Sequence, residues 1–329
     1  MPNLEIDHVD HIFVEHYHPK FLGKGGEQVV YGLPEYPTIV AKANKTVMRR
    51  VIDWNVERGL PPGGLPDEVK GFAENFLAQE RRRHQELTKY FGVAHVPRQR
   101  SMLVQVPVTP EILEEVYQGP APATLDQAWT LLSIQQRVPE LVNPDGLSLA
   151  CGYAENREQD SALYEQVTAR AIQEREGSEP LTKEVFFAVQ QKRLLKKTFE
   201  RAEKDPEFKT RLTECLEKTI LYATETGEIL DLVGEDNISF VKTEKGWTYK
   251  LVDAFYAGTE KMVDRAREVM QKASQGTEID AKEKNILLNT VNFVRTVNGM
   301  AELLGMAERI HLVSDENRAQ TLDFLTLVR

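Results

Sequence analysis

From about residue 10 to 43, β-branched and aromatic residues come in bursts too short for helices: Ile12-Phe13-Val14, Val29-Val30-Tyr31 and Thr38-Ile39-Val40-Ala41-Lys42. Gly23-Lys24-Gly25-Gly26 and the Pro34/Pro37 pair separate them, which predicts consecutive antiparallel strands. A break rich in Gly and Pro runs from Gly59 to Pro66. After it a long helical pattern starts at Asp67 and ends at Gly92, with Phe72, Phe76, Leu77 and Leu87 on its apolar side. Residues 93–108 and 129–138 read as extended, separated by a Pro-rich insertion holding Pro107, Pro110, Pro120 and Pro122.

Beyond Pro139 the helical period dominates. Its clearest helix opens with Asp205-Pro206-Glu207, an N-cap followed by proline at the first helical position, and closes at Gly227. Phe208, Leu212, Cys215, Leu216, Ile220 and Ala223 fall on one face, so Cys215 reads as a core residue. Residues 237–242 and 247–252, joined by Thr243-Glu244-Lys245-Gly246, read as a β-hairpin. Helical patterns resume at about 259–274, 280–305 and 315–328, with no internal repeat and no low-complexity segment. The expected fold is α+β in two parts: 1–139 with strands and one main helix, and 140–329, mainly helical.

Composition narrows the function classes. The 329 residues carry 41 basic and 51 acidic side chains, a formal charge of −10, and the one basic run is Arg81-Arg82-Arg83, a solvated face in its simplest reading. Phosphate binding by nucleic-acid readers is mostly a Lys/Arg effect, so no nucleic-acid partner is expected. No apolar run approaches 18 residues, and the start MPNLEIDHVDHIF lacks the order of a signal peptide. The expectation is a cytoplasmic protein without a membrane span. Cys151 and Cys215 have no metal or redox spacing and read as two reduced thiols. His8, His11, His16 and His18 lack a partner cysteine and read most simply as surface residues.

Three segments carry candidate chemistry. Gly23-Lys24-Gly25-Gly26 between two strands brings backbone N–H groups within reach of a phosphate, although alone it is equally an ordinary hairpin turn. Lys42 shares a strand face with Val40, which places an ammonium on an apolar surface; the simpler alternative is an edge-strand lysine reaching water. The third segment is Glu228-Ile229-Leu230-Asp231, then Asn237, the hairpin, and Asp253-Ala254-Phe255. Each of these residues alone reads as a solvated loop acid or amide. In this order they supply a carboxylate to orient a hydroxyl and two oxygen ligands for Mg²⁺.

Together these segments resemble the protein-kinase-like superfamily over about residues 12 to 260. The resemblance implies a two-lobed α+β fold, a β-rich N-lobe (1–139) and a mainly helical C-lobe (140–329), with ATP in the cleft between them. It implies that Gly23, Gly25 and Gly26 cover the phosphates and that Lys42 pairs with them. Val30 and Val40 would form the ceiling over adenine, and backbone groups of Gln136 to Val138 would meet its edge. Glu80 on the long helix, with Glu74 second, would pair with Lys42. Asp231 would be the catalytic carboxylate, and Asn237 and Asp253 the Mg²⁺ ligands.

The departures from the family pattern are specific. Gln28 stands at the third loop glycine, Ile229-Leu230 replace the His-Arg before the catalytic Asp, and the interval from Asp231 to Asn237 is one residue longer. Val233 stands where many protein kinases have lysine, D-F-G has become Asp253-Ala254-Phe255, and no A-P-E follows. These losses point away from regulated protein kinases and towards the small-molecule and atypical kinases, such as the aminoglycoside or choline phosphotransferases. The reading is an ATP- and Mg²⁺-dependent transfer to a hydroxyl acceptor. Its alternative is a pseudokinase, a nucleotide-binding or protein-interaction scaffold.

Overall fold

In the computed structural model of the chain, the alternation of Val29, Tyr31, Ala41 and Ala43 against Val30, Val40 and Lys42 becomes the two faces of an antiparallel sheet. The structure describes residues 20–24, 28–34, 36–61, 63–107, 127–138, 147–148, 198–232, 237–254 and 260–312. They belong to two units, Met1–Pro139 and Glu140–Arg329, each with strands and helices. The expected strand at Ile12, the four N-terminal histidines, Gly25, Gly26 and the helical pattern at 315–328 lie outside the described residues.

The first unit holds β1 (Lys20–Lys24), β2 (Gln28–Gly32), β3 (Ile39–Asn44), β4 (Gln99–Pro107) and β5 (Gln127–Gln136) in the order β1-β2-β3-β5-β4. All neighbours are antiparallel. A helix that the sequence pattern did not mark, α1 (Lys45–Glu57), follows β3 without a break. Asn44 does both jobs: it ends the strand, and its Oδ1 accepts from Val47 N–H at 2.9 Å to cap the helix. Its carbonyl in turn accepts from Thr130 Oγ1 at 2.8 Å. Met48 and Ile52 of α1 join Val29, Tyr31, Ala41, Leu132 and Ile134 in one core cluster. Full burial of each large member contributes about 1.5–3 kcal/mol.

The opposite face of the sheet carries α2 (Asp67–Phe91), packed on β4 and β5. Its buried stripe is Val69, Ala73, Phe76, Glu80, Arg83, Leu87 and Phe91, which differs from the apolar side read in the sequence. Phe72 is partly exposed at the edge of the stripe, whereas the polar Glu80 and Arg83 are inside it. Arg81 to Arg83 are therefore not one solvated face. Arg82 is exposed, Arg83 is buried, and Arg81 reaches β4.

The second unit holds the three-stranded sheet β6 (Leu147–Ser148), β7 (Ile238–Thr243) and β8 (Gly246–Leu251), in the order β6-β7-β8. Its helices are α3 (Pro206–Thr226), α4 (Met262–Ser274) and α5 (Ala281–Leu303). The start of α3 clamps the hairpin. Asp205 Oδ1 caps the helix by accepting from Phe208 N–H at 3.1 Å, and its Oδ2 accepts from Trp247 Nε1 at 2.7 Å. Glu207 Oε1 accepts from Trp247 N–H at 3.0 Å, and Arg211 Nε donates to Trp247 O at 3.0 Å. This approach needs glycine in the turn: Gly246 has φ +102°, and a Cβ there would lie 1.7 Å from Glu207 Oε1. Phe208 packs edge-on against both Phe240 and Trp247, at 5.2 and 5.0 Å between ring centres. Among the described residues no helix is long and apolar enough to cross a membrane.

Two predictions follow from this clamp and its core. The Trp247 indole, and after it the Phe208 N–H, holds the Asp205 carboxyl below its ordinary value of 3.8. A lowered carboxyl pKa gives stability that is fully present above the unfolded value and lost as pH falls through the folded one. Trp247→Phe should therefore cost stability by a constant amount at neutral pH and by less below pH 3.8, measured as urea unfolding at a series of pH values. Burial pushes the Cys215 thiol up to about 12. In a Cys151→Ser chain, Cys215 should resist a thiol reagent at pH 8 until denaturant is added, and native labelling at the rate of a free thiol would contradict its placement.

Candidate functional site

Register brings the first set of residues together. Gly23 pairs with Val30, Val30 with Lys42, Lys42 with Ser133, and Ser133 with Ser101, so one row crosses all five strands. Directly paired residues of antiparallel strands share a face, with Cβ atoms about 4.5–5.5 Å apart. Lys42 stands on the middle strand and is 7% exposed, so it is not an edge lysine reaching water. Val40, two residues away on the same face, is half-buried and paired with Gln135.

Glu80 descends from α2 onto this row. Its Oε1 accepts from Gln99 Nε2 at 2.7 Å, from Ser101 Oγ at 2.7 Å, and from Ser133 Oγ, the direct neighbour of Lys42. Glu74, the other candidate partner for Lys42, is exposed and lies 3.9 Å from Lys70 one helical turn away. Only Glu80 of the two faces the sheet. Neighbouring residues pin the helix at the same level: Arg81 Nε and Nη2 donate to Ser101 O at 3.1 and 2.6 Å, and His84 Nε2 donates to Pro97 O at 2.9 Å. At the end of β5, Gln136 N–H donates to Arg98 O and Arg137 N–H to Thr38 O, both at 2.8 Å. Val138 follows, half-buried.

A second set forms in the other unit. Gly227 ends α3 in the left-handed region with φ +74°, where a Cβ would lie 2.6 Å from Asp264 Oδ2, and its carbonyl accepts from Val263 N–H at 2.8 Å. Ile229, Leu230 and Leu232 are buried and Asp231 between them is half-buried. The two positions before Asp231 are thus core positions, which is the physical reason they are Ile and Leu. Asp231 N–H donates to Ala254 O at 2.9 Å, Asn237 Nδ2 donates to Asp231 O at 3.3 Å, and Val252 N–H donates to Asn237 O at 2.8 Å. The hairpin returns the chain to the loop, and Asp231, Asn237 and Asp253 come together around these bonds.

As ligands, Asn237 and Asp253 offer an amide oxygen and a carboxylate, hard donors of the kind Mg²⁺ takes with water completing its shell. With Nδ2 of Asn237 bonded to Asp231 O, its Oδ1 is the atom that would serve a cation. Among the described residues there is no group of three His, Cys, Asp or Glu arranged to hold a metal. Sequence reasoning missed Gln99, Ser101 and Ser133. Their sequence signal is weak: Gln99-Arg100-Ser101 is a polar opening to β4, and Ser133 is one polar residue between Leu132 and Ile134 of β5.

Glu80→Ala should cost about 1–3 kcal/mol or more, because it leaves buried hydroxyl and amide donors without their acceptor. Glu74→Ala removes one exposed pair and should cost no more than about 0.5 kcal/mol. Denaturant unfolding of the two variants checks the ranking.

The chain matches no protein-family model, no curated protein and no solved structure.

Proposed function

We propose that the protein is an ATP- and Mg²⁺-dependent phosphotransferase of protein-kinase-like fold, acting on a hydroxyl of a small molecule. Met1–Pro139 is its N-lobe and Glu140–Arg329 its C-lobe. The observation that carries the reading is the row through Lys42. A buried ammonium needs a counter-charge, and here a helix carboxylate is bonded to the residue beside it. A lysine fixed in this way can pair with the α- and β-phosphates of ATP. Val30 and Val40 lie on the same face and serve the adenine ring. Since the N–H groups of Gln136 and Arg137 are bonded within the unit, the N–H offered to the adenine edge is that of Val138, with the Gln136 carbonyl as acceptor. Gly23, Gly25 and Gly26 cover the phosphates.

In the second set Asp231 orients the acceptor hydroxyl and takes its proton. The acceptor oxygen bonds to the γ-phosphorus as the bond to the β–γ bridging oxygen breaks, leaving ADP. Asn237 Oδ1 and Asp253 would hold Mg²⁺, which when bound neutralises charge on the β- and γ-phosphates. A small acceptor is favoured over a protein because Leu230 is a buried core residue, so no arginine beside Asp231 is present to receive a phosphorylated loop. The reading goes with a cytoplasmic site of action, where ATP is supplied.

Thermal stability with ATP and Mg²⁺ tests the proposal, since a ligand at 100 times its Kd adds about 2.7 kcal/mol. The expected result is a rise in Tm that needs Mg²⁺, is weakened by Lys42→Met and is lost in Asp253→Asn. Asp231→Asn should keep the shift while phosphoryl transfer from labelled ATP falls by about 10² or more. A shift independent of Mg²⁺ and without transfer would make the protein a nucleotide-binding scaffold. No shift at all would remove the nucleotide.

A further inference from the structure

Glu80 is held in an unusual way for a residue meant to pair with a lysine. Three donors converge on one oxygen, and they come from the sheet rather than from the helix: Gln99 and Ser101 on β4, and Ser133 on β5. The position of the carboxylate is thereby indexed to the strands that also carry the row of Lys42. Ser101 is gripped twice, its hydroxyl by Glu80 and its carbonyl by Arg81, so helix and sheet meet at one rung. Both serines are 3% exposed, and the residues beside Ser133 along its strand, Leu131, Leu132 and Ile134, are fully buried. A buried hydroxyl left unbonded costs about 1–3 kcal/mol, so hydroxyls at these positions are retained only with an acceptor.

We propose that Ser101 and Ser133 are positioning residues for phosphoryl transfer: they fix the Glu80 carboxylate beside Lys42 and so set where the lysine ammonium meets the nucleotide. The inference rests on the phosphotransferase reading. Gln99, Ser101 and Ser133 hold the carboxylate at a fixed place on the row of Lys42 and keep it from collapsing onto the ammonium. Lys42 is then shared between Glu80 and the phosphates instead of being consumed by the glutamate. Without the hydroxyls the carboxylate moves towards Lys42 and the ammonium leaves the nucleotide.

The test is the Kd of MgATP measured by titration calorimetry on the full chain, alongside the melting temperature without ligand. A hydrogen bond to a charged group is worth enough for Ser133→Ala and Ser101→Ala each to raise the Kd about tenfold or more. Ser133→Thr keeps the hydroxyl and should restore a Kd near that of the wild type. If an alanine variant fails to fold, Ser133→Cys, of similar volume with a weak donor, gives the same reading. A merely structural role lowers the melting temperature and leaves the Kd of the folded variant unchanged; that result overturns the inference while leaving the phosphotransferase reading intact. A wild type that does not bind MgATP overturns both.

Discussion

Apolar contact sets how far a helix lies from a sheet but not which turn sits over which strand residue, and α2 needs the second specification as much as the first. Val69, Ala73 and Phe76 at one end of its buried stripe, and Leu87 and Phe91 at the other, supply the contact. Between them Glu80 places its carboxylate on Ser101, Ser133 and Gln99, and Arg81 binds the carbonyl of the same Ser101. Sliding the helix by one turn would keep most of the apolar burial and break every one of these bonds. Because hydrogen bonds to charged groups are stronger and more directional than neutral ones, the buried carboxylate fixes the register of α2 on β4 and β5. The surroundings of Lys42 follow from that register.

The second unit solves the same problem with backbone. Its loop is pinned by Ile229, Leu230 and Leu232 in the core, by main-chain bonds of Asp231 with Ala254 and of Val252 with Asn237, and by the Asn237 side chain on Asp231 O. The hairpin whose return makes these bonds possible is itself anchored at Trp247 by Asp205, Glu207 and Arg211 at the start of α3. The N-cap of α3 thus helps to position the loop through the tryptophan of the hairpin turn.

What could be read in the sequence were the features with local punctuation. Asp205-Pro206 and Gly227 bracket α3, Gly246 forces the hairpin turn, and the alternation in 39–44 separates Val40 and Lys42 from Ile39, Ala41 and Ala43. The helix α1 was illegible because Asn44 ends a strand and caps a helix at once, so no loop signal intervenes. The long helix was legible in its extent and in part of its buried face, Phe76 and Leu87. Phe72 looks like core by its chemistry and is exposed, while Glu80 and Arg83 look like surface and are buried, Glu80 against Gln99 and Ser101 of β4 and Ser133 of β5. Lys42, Asp231, Asn237 and Asp253 were marked as candidates by their types and order. Ser101 and Ser133 were not, because a serine in a strand acquires meaning only from the carboxylate that a tertiary contact brings to it.

The net charge sets one more condition on the proposed reaction. A chain of charge −10 repels a polyanion such as ATP at long range, and physiological salt screens that repulsion beyond about 8 Å. Affinity for the nucleotide must then come from short-range contacts where water is scarce and a single cation counts for most. Lys42 meets that condition: it is buried on the central strand, with half-buried valines on its face. Met48 and Ile52 of α1 pack with an apolar cluster on the other side of the sheet. On the face of Lys42, α2 supplies both apolar cover and the Glu80 carboxylate that satisfies two serines and a glutamine.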